Sequence, residues 1–423
     1  MGFNFVIGTI LNTPTQYNKL NNKVVLICGI FINIALLGYF KYTDFIIDNI
    51  NYLGNMHIER QNIALPLAIS FFTFQQIAYL CDSYRRLTKE YNFLNYCLFV
   101  TFFPQLIAGP IVAHYEMMPQ FNKKKNWIKN YRNIFYGIVL FLIGLGKKVL
   151  IADYFAKFAT LGFDEITDLT LIGGWFTSLS YSIQIYFDFS GYCDMALGVA
   201  KIFNINLPIN FDSPYKALNI QDFWRRWHIT LSRFLRDYLY IPLGGNRKGY
   251  FRSLANVFTV FLIGGLWHGA AWTFVIWGTL HGLANIAWRL WHRIEFRLSK
   301  GVAWFITFNF VNIAWIFFRA KNFEDAWKVL KAMFDYSSLI KLPRFSARYY
   351  LNGFNTHGNT LLALAFVILL CTILPNSVQI TKKILIKSAN QAFLWGNLLG
   401  IILAIIIAKI LIIPYSEFIY FNF

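Results

Sequence analysis

The sequence predicts an all-α, polytopic integral membrane protein, a helical bundle of about ten membrane segments, some of them re-entrant, around a polar funnel. Composition is the first reason, since 57% of the 423 residues are hydrophobic and only 14% are charged. A chain this apolar cannot hide its surface in one soluble core of ordinary shape. Long charge-free runs, and short basic clusters between them, are the other two reasons. Much of the chain must therefore be solvated by lipid.

The charge-free runs mark the membrane segments in order along the chain. A spanning helix needs roughly 20 mostly apolar residues. Six runs approach or reach that length: residues 24–40, 61–81, 91–115, 169–187, 301–318 and 388–408. Residues 253–288 are long enough for two helices, and shorter runs lie at 133–146, extended past Lys147 and Lys148, and near 361–375. Together they give about ten segments.

The formal charge of +19 comes from basic residues in short clusters between the apolar runs. Such clusters are typical of cytoplasmic loops of membrane proteins, and they argue against a nucleic-acid-binding face. Lys19 and Lys23 precede the first run, whereas residues 41–60 carry three acidic residues against two basic ones, so the N-terminus is predicted in the cytoplasm. The net basic stretch 319–357 does not fit the resulting alternation.

Residues 91–115 are predicted to enter the membrane and return on the same side. The segments 85–89 and 123–132 flank this run, and both are basic. Pro104, Gly109 and Pro110 interrupt it, and irregular backbone at membrane depth is tolerated only where protein or a water-filled cavity satisfies its polar groups. We therefore predict a re-entrant segment that lines a cavity.

The five cysteines stand singly, in no CxxC or metal-ligand spacing, so neither disulfides nor a metal site are predicted. The N-terminus carries no pattern of a cleavable signal peptide. Insertion is expected to rest on the spans themselves.

Residues 188–252 hold too many polar side chains, interleaved with aromatic ones, for an ordinary loop or span. They include the sequences FDFSGYCDMALG (187–198), LPINFDSPY (207–215) and QDFWRRWHITLSRFLRDYLYIPLGGNRKG (221–249). On one continuous helix Trp224, His228 and Leu231 would share a face, with Arg225 and Arg226 beside it. Helical pattern alone favours an amphipathic helix in the membrane interface, with arginines on lipid phosphates. The number of polar side chains in residues 188–252 instead indicates that this segment is the functional centre.

A second polar centre lies inside the long charge-free run, in the sequence GGLWHGAAWTFVIWGTLHG (264–282), where His268 and His281 are the only ionisable side chains. A titratable residue in a membrane is expensive unless it faces a polar cavity, so it is a functional candidate by default. A neutral imidazole can accept a hydroxyl proton and later return one to a leaving group, as acyl transfer from a thioester requires. The competing interpretation, a histidine that only ties two helices together, is stronger for His281 than for His268.

The motifs, in this order, resemble those of the membrane-bound O-acyltransferase (MBOAT) family, in the bacterial branch that contains the membrane proteins of alginate and peptidoglycan O-acetylation. The matching sequences are LPLAISFFTFQQIAYL (65–80), FFPQLIAGPI (102–111), YFDFSGYCDMALG (186–198), NFDSPY (210–215), DFWRRWHITLSRFLRDYLYIPLGGNR (222–247), GLWHGAAWTFVIWGTLHG (265–282) and FIYFNF (418–423). The resemblance implies one MBOAT-type domain over residues 1–423, without the further N-terminal helices usual in the family. Cys193 stands where family members often have serine.

By this resemblance the chain is an enzyme, an O-acetyltransferase of the bacterial inner membrane, that moves acetyl from a cytoplasmic thioester toward the outer face for a cell-envelope polysaccharide of alginate or peptidoglycan type. His268 is then the catalytic base and His228 the second functional histidine. The expected substrate-binding residues are Trp224, Arg225, Arg226, Arg247 and Trp267. Acetyl-CoA is the implied donor, with no bound cofactor or metal and with a separate extracytoplasmic acetyltransferase as partner.

Two alternatives come from other classes of protein. A membrane transporter or flippase also needs buried polar groups and a re-entrant segment, although the internal repeats often seen in transporters are not evident here. A non-catalytic scaffold of an envelope-assembly complex would keep the fold and tolerate the loss of His268. The loop around Arg247 is likewise open to two interpretations, a basic turn or a phosphate-contacting loop.

Overall fold

A computed structural model describes residues 1–13, 20–88, 92–294, 296–340, 359–385, 389–412 and 418–419. The regular structure of these residues is helical, without a strand, which confirms the all-α prediction. Several residues used in the sequence analysis lie outside the described residues: Lys19, Lys89, residues 341–357 of the basic stretch and residues 420–423 of the terminal motif.

The helices are numbered here in chain order. They are α1 Gly2–Asn12, α2 Asn22–Gly54, α3 Ile69–Tyr84, α4 Phe93–Thr101, α5 His114–Phe121, α6 Tyr131–Gly146, α7 Asp153–Thr160, α8 Leu171–Ile202, α9 Ile220–Arg226, α10 Ile229–Leu235, α11 Tyr250–His268, α12 Trp272–Trp291, α13 Lys300–Arg319, α14 Phe323–Met333, α15 Ser337–Ile340, α16 Asn359–Ile373, α17 Ser377–Leu385 and α18 Ala389–Ile412. A π-helical turn at Lys147–Ala152 joins α6 to α7, and a second at Leu161–Glu165 follows α7.

Asparagine side chains begin several of these helices. The first N–H groups of a helix have no partner within it, and a short polar side chain at the preceding residue satisfies one of them. Asn21 accepts from the N–H of Lys23 at the start of α2, and Asn219 accepts from the N–H of Asp222 at the start of α9. The second cap matters for function, because α9 is only seven residues long and carries Trp224.

The chain divides into two compact units, each discontinuous in sequence. Unit 1 consists of residues 1–138, 196–209 and 230–243, and unit 2 of residues 139–195, 210–229 and 244–423. In unit 1 an aromatic core includes the fully buried Tyr79, Tyr96 and Phe99. In the same unit the Tyr238 hydroxyl donates to the carboxylate of Asp82 at 2.9 Å.

In unit 2, α11 and α12 pack closely through two glycines. A Cβ at Gly265 would collide with the carbonyl oxygen of Phe274, and one at Gly278 with the carbonyl oxygen of Phe261. Glycine is therefore required at both positions, because the two backbones approach too closely for any side chain between them. This packing brings the end of α11, where His268 lies, against α12.

Unit 2 also holds buried ion pairs at the two lysines that interrupt an apolar run. Lys147 Nζ lies 2.7 Å from Asp194 Oδ2, and Lys148 Nζ lies 2.7 Å from both Asp188 Oδ1 and Asp153 Oδ1. A charge at membrane depth is tolerated when it is paired in this way. The π-turn that carries both lysines lies within the long helical segment Tyr131–Glu165.

Five helical segments of the described residues are long and apolar enough to cross a membrane: Asn22–Gly54, Tyr131–Glu165, Tyr250–His268, Lys300–Arg319 and Phe393–Ile412. The pair Asn359–Ile373 and Ser377–Ile384, bent by 69°, raises the number to six if it is one span. The predicted run 253–288 does form two helices, α11 and α12. A multi-pass membrane protein is confirmed, whereas the count of ten segments is not.

The chain between α4 and α5 is irregular. Helix α4 has nine residues, which at 1.5 Å per residue is about half the thickness of a hydrocarbon core, and turns follow from residue 102 onward. Phe102 and Phe103 of this segment line an apolar groove of about 360 Å³ in unit 1, together with Trp127 and other residues. The interruption by proline and glycine is confirmed, and its re-entrant path through the membrane stays a prediction.

Candidate active site

The helix predicted across Trp224, His228 and Leu231 is broken, and that expectation was wrong. Helix α9 ends at Arg226, and His228 lies between α9 and α10 with φ at +43°. This left-handed conformation is uncommon for a residue with a side chain and costs about 1–3 kcal/mol unless the surroundings hold it. An amphipathic interfacial helix over this sequence is excluded, because Trp224 and Trp227 are both buried.

Main-chain hydrogen bonds stabilise the break between α9 and α10. The N–H of Asp212 donates to the carbonyl of Arg226, and the N–H of Ile229 donates to the carbonyl of Asn210. The NFDSPY segment therefore pairs with both sides of His228. These bonds supply partners for backbone groups that the helix break would otherwise leave unsatisfied.

His228 is fully buried, and its ring is held on two sides. Its Nδ1 lies 3.2 Å from Oδ1 of Asn210, and the ring of Phe189 meets it edge-on at 4.8 Å between centroids. Burial lowers the pKa of His228 to about 3, so the ring is neutral at pH 7. The arrangement offers a neutral imidazole with one nitrogen engaged by an amide.

His268 is the last residue of α11 and is 3% exposed. Three aromatic rings surround it: Trp267 at 4.9 Å, Trp277 at 5.1 Å and Phe318 at 5.0 Å between centroids. Phe318 comes from α13, so three helices enclose this ring. Gly269 directly after it is also enclosed, since a Cβ there would collide with the ring of Phe274.

Trp267 links the two histidines predicted to be functional. Its ring contacts that of His268 and lies 6.4 Å from that of His228, and the indole is 5% exposed. Two histidine rings that are forty positions apart in sequence thus lie near one indole. The structure brings these three predicted site residues together, while a cavity shared by both histidines stays a prediction.

His281 and Trp224 form a separate pair. The indole Nε1–H of Trp224 donates to His281 Nδ1 at 3.2 Å, and both side chains are buried. This bond joins α9 to α12, which is the helix-tying role expected for His281. Trp224, predicted to bind substrate, uses its polar atom within the protein and packs against the rings of Trp277 and Phe261.

The three predicted arginines differ in their surroundings. Arg226 donates to the carboxylate of Asp222 at 2.9 Å and is only partly exposed. Arg225 is exposed, and so is Arg247, whose N–H donates to the carbonyl of Gly244 in a glycine-rich turn. Arg225 and Arg247 thus lie at the surface of unit 2, while the guanidinium of Arg226 is committed to an ion pair.

Sequence reasoning missed Asn210, which is 1% exposed, faces the His228 ring with its side chain and accepts from the N–H of Ile229 with its backbone. It also assigned no site role to Phe189, although this residue lies within the quoted FDFSGYCDMALG motif. The signal that could have pointed to Asn210 is the polar NFDSPY sequence (210–215), which lies between apolar segments. Spacing in the chain could not show that it pairs with the helix break.

The terminal motif reaches the same part of unit 2. Phe418 stacks on Tyr192 at 4.8 Å and lies 6.3 Å from Phe189, and the N–H of Ile419 donates to Asp188 Oδ2 at 2.9 Å. Phe189, which contacts His228, is thereby packed from the side of the C-terminal segment. Among the described residues no group of three or more His, Cys, Asp or Glu side chains is arranged to hold a metal ion.

Comparison with known proteins gives consistent matches. The model of MBOAT, the membrane-bound O-acyltransferase family, matches residues 52–324. The peptidoglycan O-acetyltransferase of Helicobacter pylori is 55% identical over 362 residues, covering 78% of this chain and 68% of that protein. The probable alginate O-acetylase of Pseudomonas aeruginosa is 40% identical over 349 residues, covering 79% and 65%. The teichoic acid D-alanyltransferase of Bacillus subtilis is 29% identical over 287 residues, covering 63% and 72%. The chain thus spans about two thirds of the length of the first two relatives.

Proposed function

Because the chain belongs to the membrane-bound O-acyltransferase family, we propose that it is a membrane-embedded O-acetyltransferase that modifies a cell-envelope polysaccharide. Acetyl is taken from a thioester on the cytoplasmic side and passed toward the outer face. Peptidoglycan is the favoured acceptor, since the relative with that name is 55% identical and the alginate relative 40%. A separate extracytoplasmic acetyltransferase completes the transfer.

One observation carries this proposal: two buried histidines from distant parts of the sequence lie near the same indole, that of Trp267, with ring centroids 6.4 Å away for His228 and 4.9 Å away for His268. Acyl transfer from a thioester needs a group that removes the proton of the attacking hydroxyl as its oxygen bonds to the carbonyl carbon. The same group returns a proton to the departing thiolate when the carbon–sulfur bond breaks. His268 is the proposed general base, and His228 is the positioning or second proton-transfer group.

The proposed donor is acetyl-CoA, and its phosphates are expected to meet exposed basic residues. Arg225 and Arg247 are suited to this role, because an exposed guanidinium can bind phosphate oxygens in pairs. Arg226 is already paired with Asp222, so it is expected to contribute less to phosphate binding than Arg225 and Arg247. Trp267 lies near both histidines and is proposed to bound the path of the acetyl group.

The test uses the full chain in lipid nanodiscs with radiolabelled acetyl-CoA and a hydroxyl acceptor. Wild type should consume acetyl-CoA, and His268→Ala should lose about 100-fold or more of the rate, the scale of losing a general base. His114→Ala is the matched control, since its ring is equally buried, at 2% exposure, and belongs to unit 1. Size-exclusion profiles should show that both variants are folded.

The same variants separate the rival functions in cells. In a strain lacking the gene, wild type and His114→Ala should restore O-acetyl groups on envelope glycans, as measured by mass spectrometry, whereas His268→Ala should not. A scaffold would restore them without His268. A transporter or flippase would move a labelled lipid or solute across proteoliposomes without consuming acetyl-CoA, and either result would overturn the proposal.

A further inference from the structure

We infer that Asn210 is a positioning residue that fixes which nitrogen of His228 carries the proton, and that the sulfur of Cys193 orients Asn210 for this task. The inference rests on the proposed function, because it assigns to His228 a defined hydrogen-bonding side during acetyl transfer. The inference requires only that His228 touch the substrate; Asn210 and Cys193 act through His228.

The three side chains form one buried line. Asn210 Nδ2 donates to Cys193 Sγ at 3.3 Å, and Asn210 Oδ1 lies 3.2 Å from His228 Nδ1. All three residues are buried, with exposures of 1%, 3% and 0% for Asn210, Cys193 and His228. They come from α8, the NFDSPY segment and the break between α9 and α10, so the fold rather than local sequence assembles the line.

The two ends of the Asn210 amide have different chemistry, and this decides the tautomer. In the structure the NH₂ group, which only donates, faces the sulfur of Cys193, and the carbonyl oxygen faces His228. A carbonyl oxygen only accepts, and Nδ1 must therefore carry the hydrogen. In a neutral imidazole the other nitrogen, Nε2, then holds the lone pair and serves as an acceptor.

The backbone makes the orientation hard to lose. Asn210 also accepts through its carbonyl from the N–H of Ile229, the residue that follows His228. Main chain and side chain of Asn210 thus bind two consecutive residues at the strained turn. The ring is fixed both in position and in the nitrogen that it presents, which is the role that an orienting group plays for a catalytic histidine.

Loss of the amide should affect turnover more than donor binding. In Asn210→Ala the ring can change tautomer and present Nε2–H, a donor where an acceptor is needed. We expect kcat to fall by about 10- to 100-fold, less than the loss of a general base, with KM for acetyl-CoA changed less than about two-fold. Cys193→Ser keeps an acceptor for Asn210 and should stay near wild type, whereas Cys193→Ala should fall between the two.

A matched control separates this role from packing. Asn312 is also 1% exposed, and its amide bonds Ser178 and Ser182 within unit 2. Asn312→Ala should lower thermal stability to a similar extent without the same loss of kcat. An equal loss of kcat in both variants, or an Asn210→Ala variant with wild-type kcat, would overturn the inference.

A spectroscopic readout keeps the inference testable apart from the activity. In protein with ¹⁵N-labelled histidine in nanodiscs, the signal that disappears in His228→Gln identifies His228. This signal should show a protonated Nδ1 in wild type and Cys193→Ser, and should shift toward protonated Nε2 in Asn210→Ala. A protonated Nε2 in wild type contradicts the inference even if acetyl transfer is confirmed, and the expected spectrum stands even if the acceptor is something else.

Discussion

Among the described residues of unit 2, the buried histidines His228, His268 and His281 differ in the surroundings of their ring nitrogens. At His228, Nδ1 faces the carbonyl oxygen of Asn210, and we infer that it carries the hydrogen. At His281, Nδ1 accepts from the indole of Trp224, so Nε2 carries the hydrogen. The inferred tautomers of these two rings of unit 2 are therefore opposite. His268 differs from both in being enclosed mainly by aromatic rings.

The pairing of His281 leads to a prediction at this scale. Asparagine places its oxygen near the position of Nδ1, whereas glutamine places its amide near Nε2. His281→Asn should keep an acceptor for Trp224 and stay close to wild type in thermal unfolding, while His281→Gln should be destabilised by about 1–3 kcal/mol, the cost of leaving that buried indole donor without its acceptor. Unfolding of the purified proteins in detergent, followed by differential scanning fluorimetry, measures the difference.

Activity tells whether His281 only ties helices together. Both variants should keep acetyl-CoA turnover within several-fold of wild type, since the proposed chemistry belongs to His268 and His228. Loss of turnover in His281→Asn with unchanged stability would contradict the tying role and place this ring among the catalytic ones.

At the scale of elements, the sequence identified the important segments better than their shapes. His268 and His281 were correctly placed on two helices of one apolar run, because charge-free length and glycine spacing are local properties. The continuous helix through Trp224 and His228 was wrong, because hydrogen bonds from Asn210 and Asp212 stabilise a break that helical periodicity cannot reveal. Helical periodicity depends on neighbouring residues, so it cannot predict hydrogen bonds to a segment more than ten residues away.

The segment between α4 and α5 carries the prediction of this scale. If residues 102–111 are re-entrant, the chain before and after them lies on the same side of the membrane, although an apolar run separates the two. In a cysteine-free background, Leu87→Cys and Lys125→Cys should react only when a membrane-impermeant maleimide has access to the cytoplasm. Both positions are exposed in the structure.

A reference position makes the labelling readable. Tyr52→Cys lies at the exposed end of α2, 87% exposed, in the segment predicted to face outward, and should react in intact cells. Reaction of Leu87→Cys and Lys125→Cys from opposite sides would remove the re-entrant path and reverse half of the predicted topology. Equal reaction of all three in intact cells would contradict the predicted cytoplasmic location of residues 87 and 125.

At the scale of the whole molecule, composition and charge predicted the class of protein because they sum over many residues. A 57% hydrophobic chain with separated basic clusters leaves little choice but a multi-pass membrane protein. The number of spans could not be read in the same way. Helices such as α8, with a buried polar face, are long without being apolar enough to count as spans, and α4 is apolar without being long enough.

The site itself depends on contacts that unit 2 creates between distant segments. His268 was found because an imidazole in an apolar run is conspicuous, whereas His228 was identified through the resemblance of its RRWH motif to the family. Asn210 was missed because an asparagine near a proline resembles a turn. Only its distance from the His228 ring reveals its role.

The final prediction is that His228 and His268 address one cavity. Both rings lie near that of Trp267, and the proposed transfer requires that a single acetyl group reach both. In a cysteine-free background, the pair His228→Cys and His268→Cys should therefore be joined by a short bifunctional thiol reagent, detected by mass spectrometry of the digested protein. Coenzyme A should slow the reaction by occupying the space between the two thiols.

A control pair uses the length of α11. Phe251→Cys is 84% exposed and lies near the start of this helix, about 25 Å from His268 at 1.5 Å per residue. It should react singly, without being joined to His228→Cys. If His228→Cys and His268→Cys are not joined, or are joined at the same rate with and without coenzyme A, the histidines open onto different surfaces. The single-site mechanism then fails even though the family assignment holds. Two histidines that open onto different surfaces cannot both transfer protons at the same acetyl group.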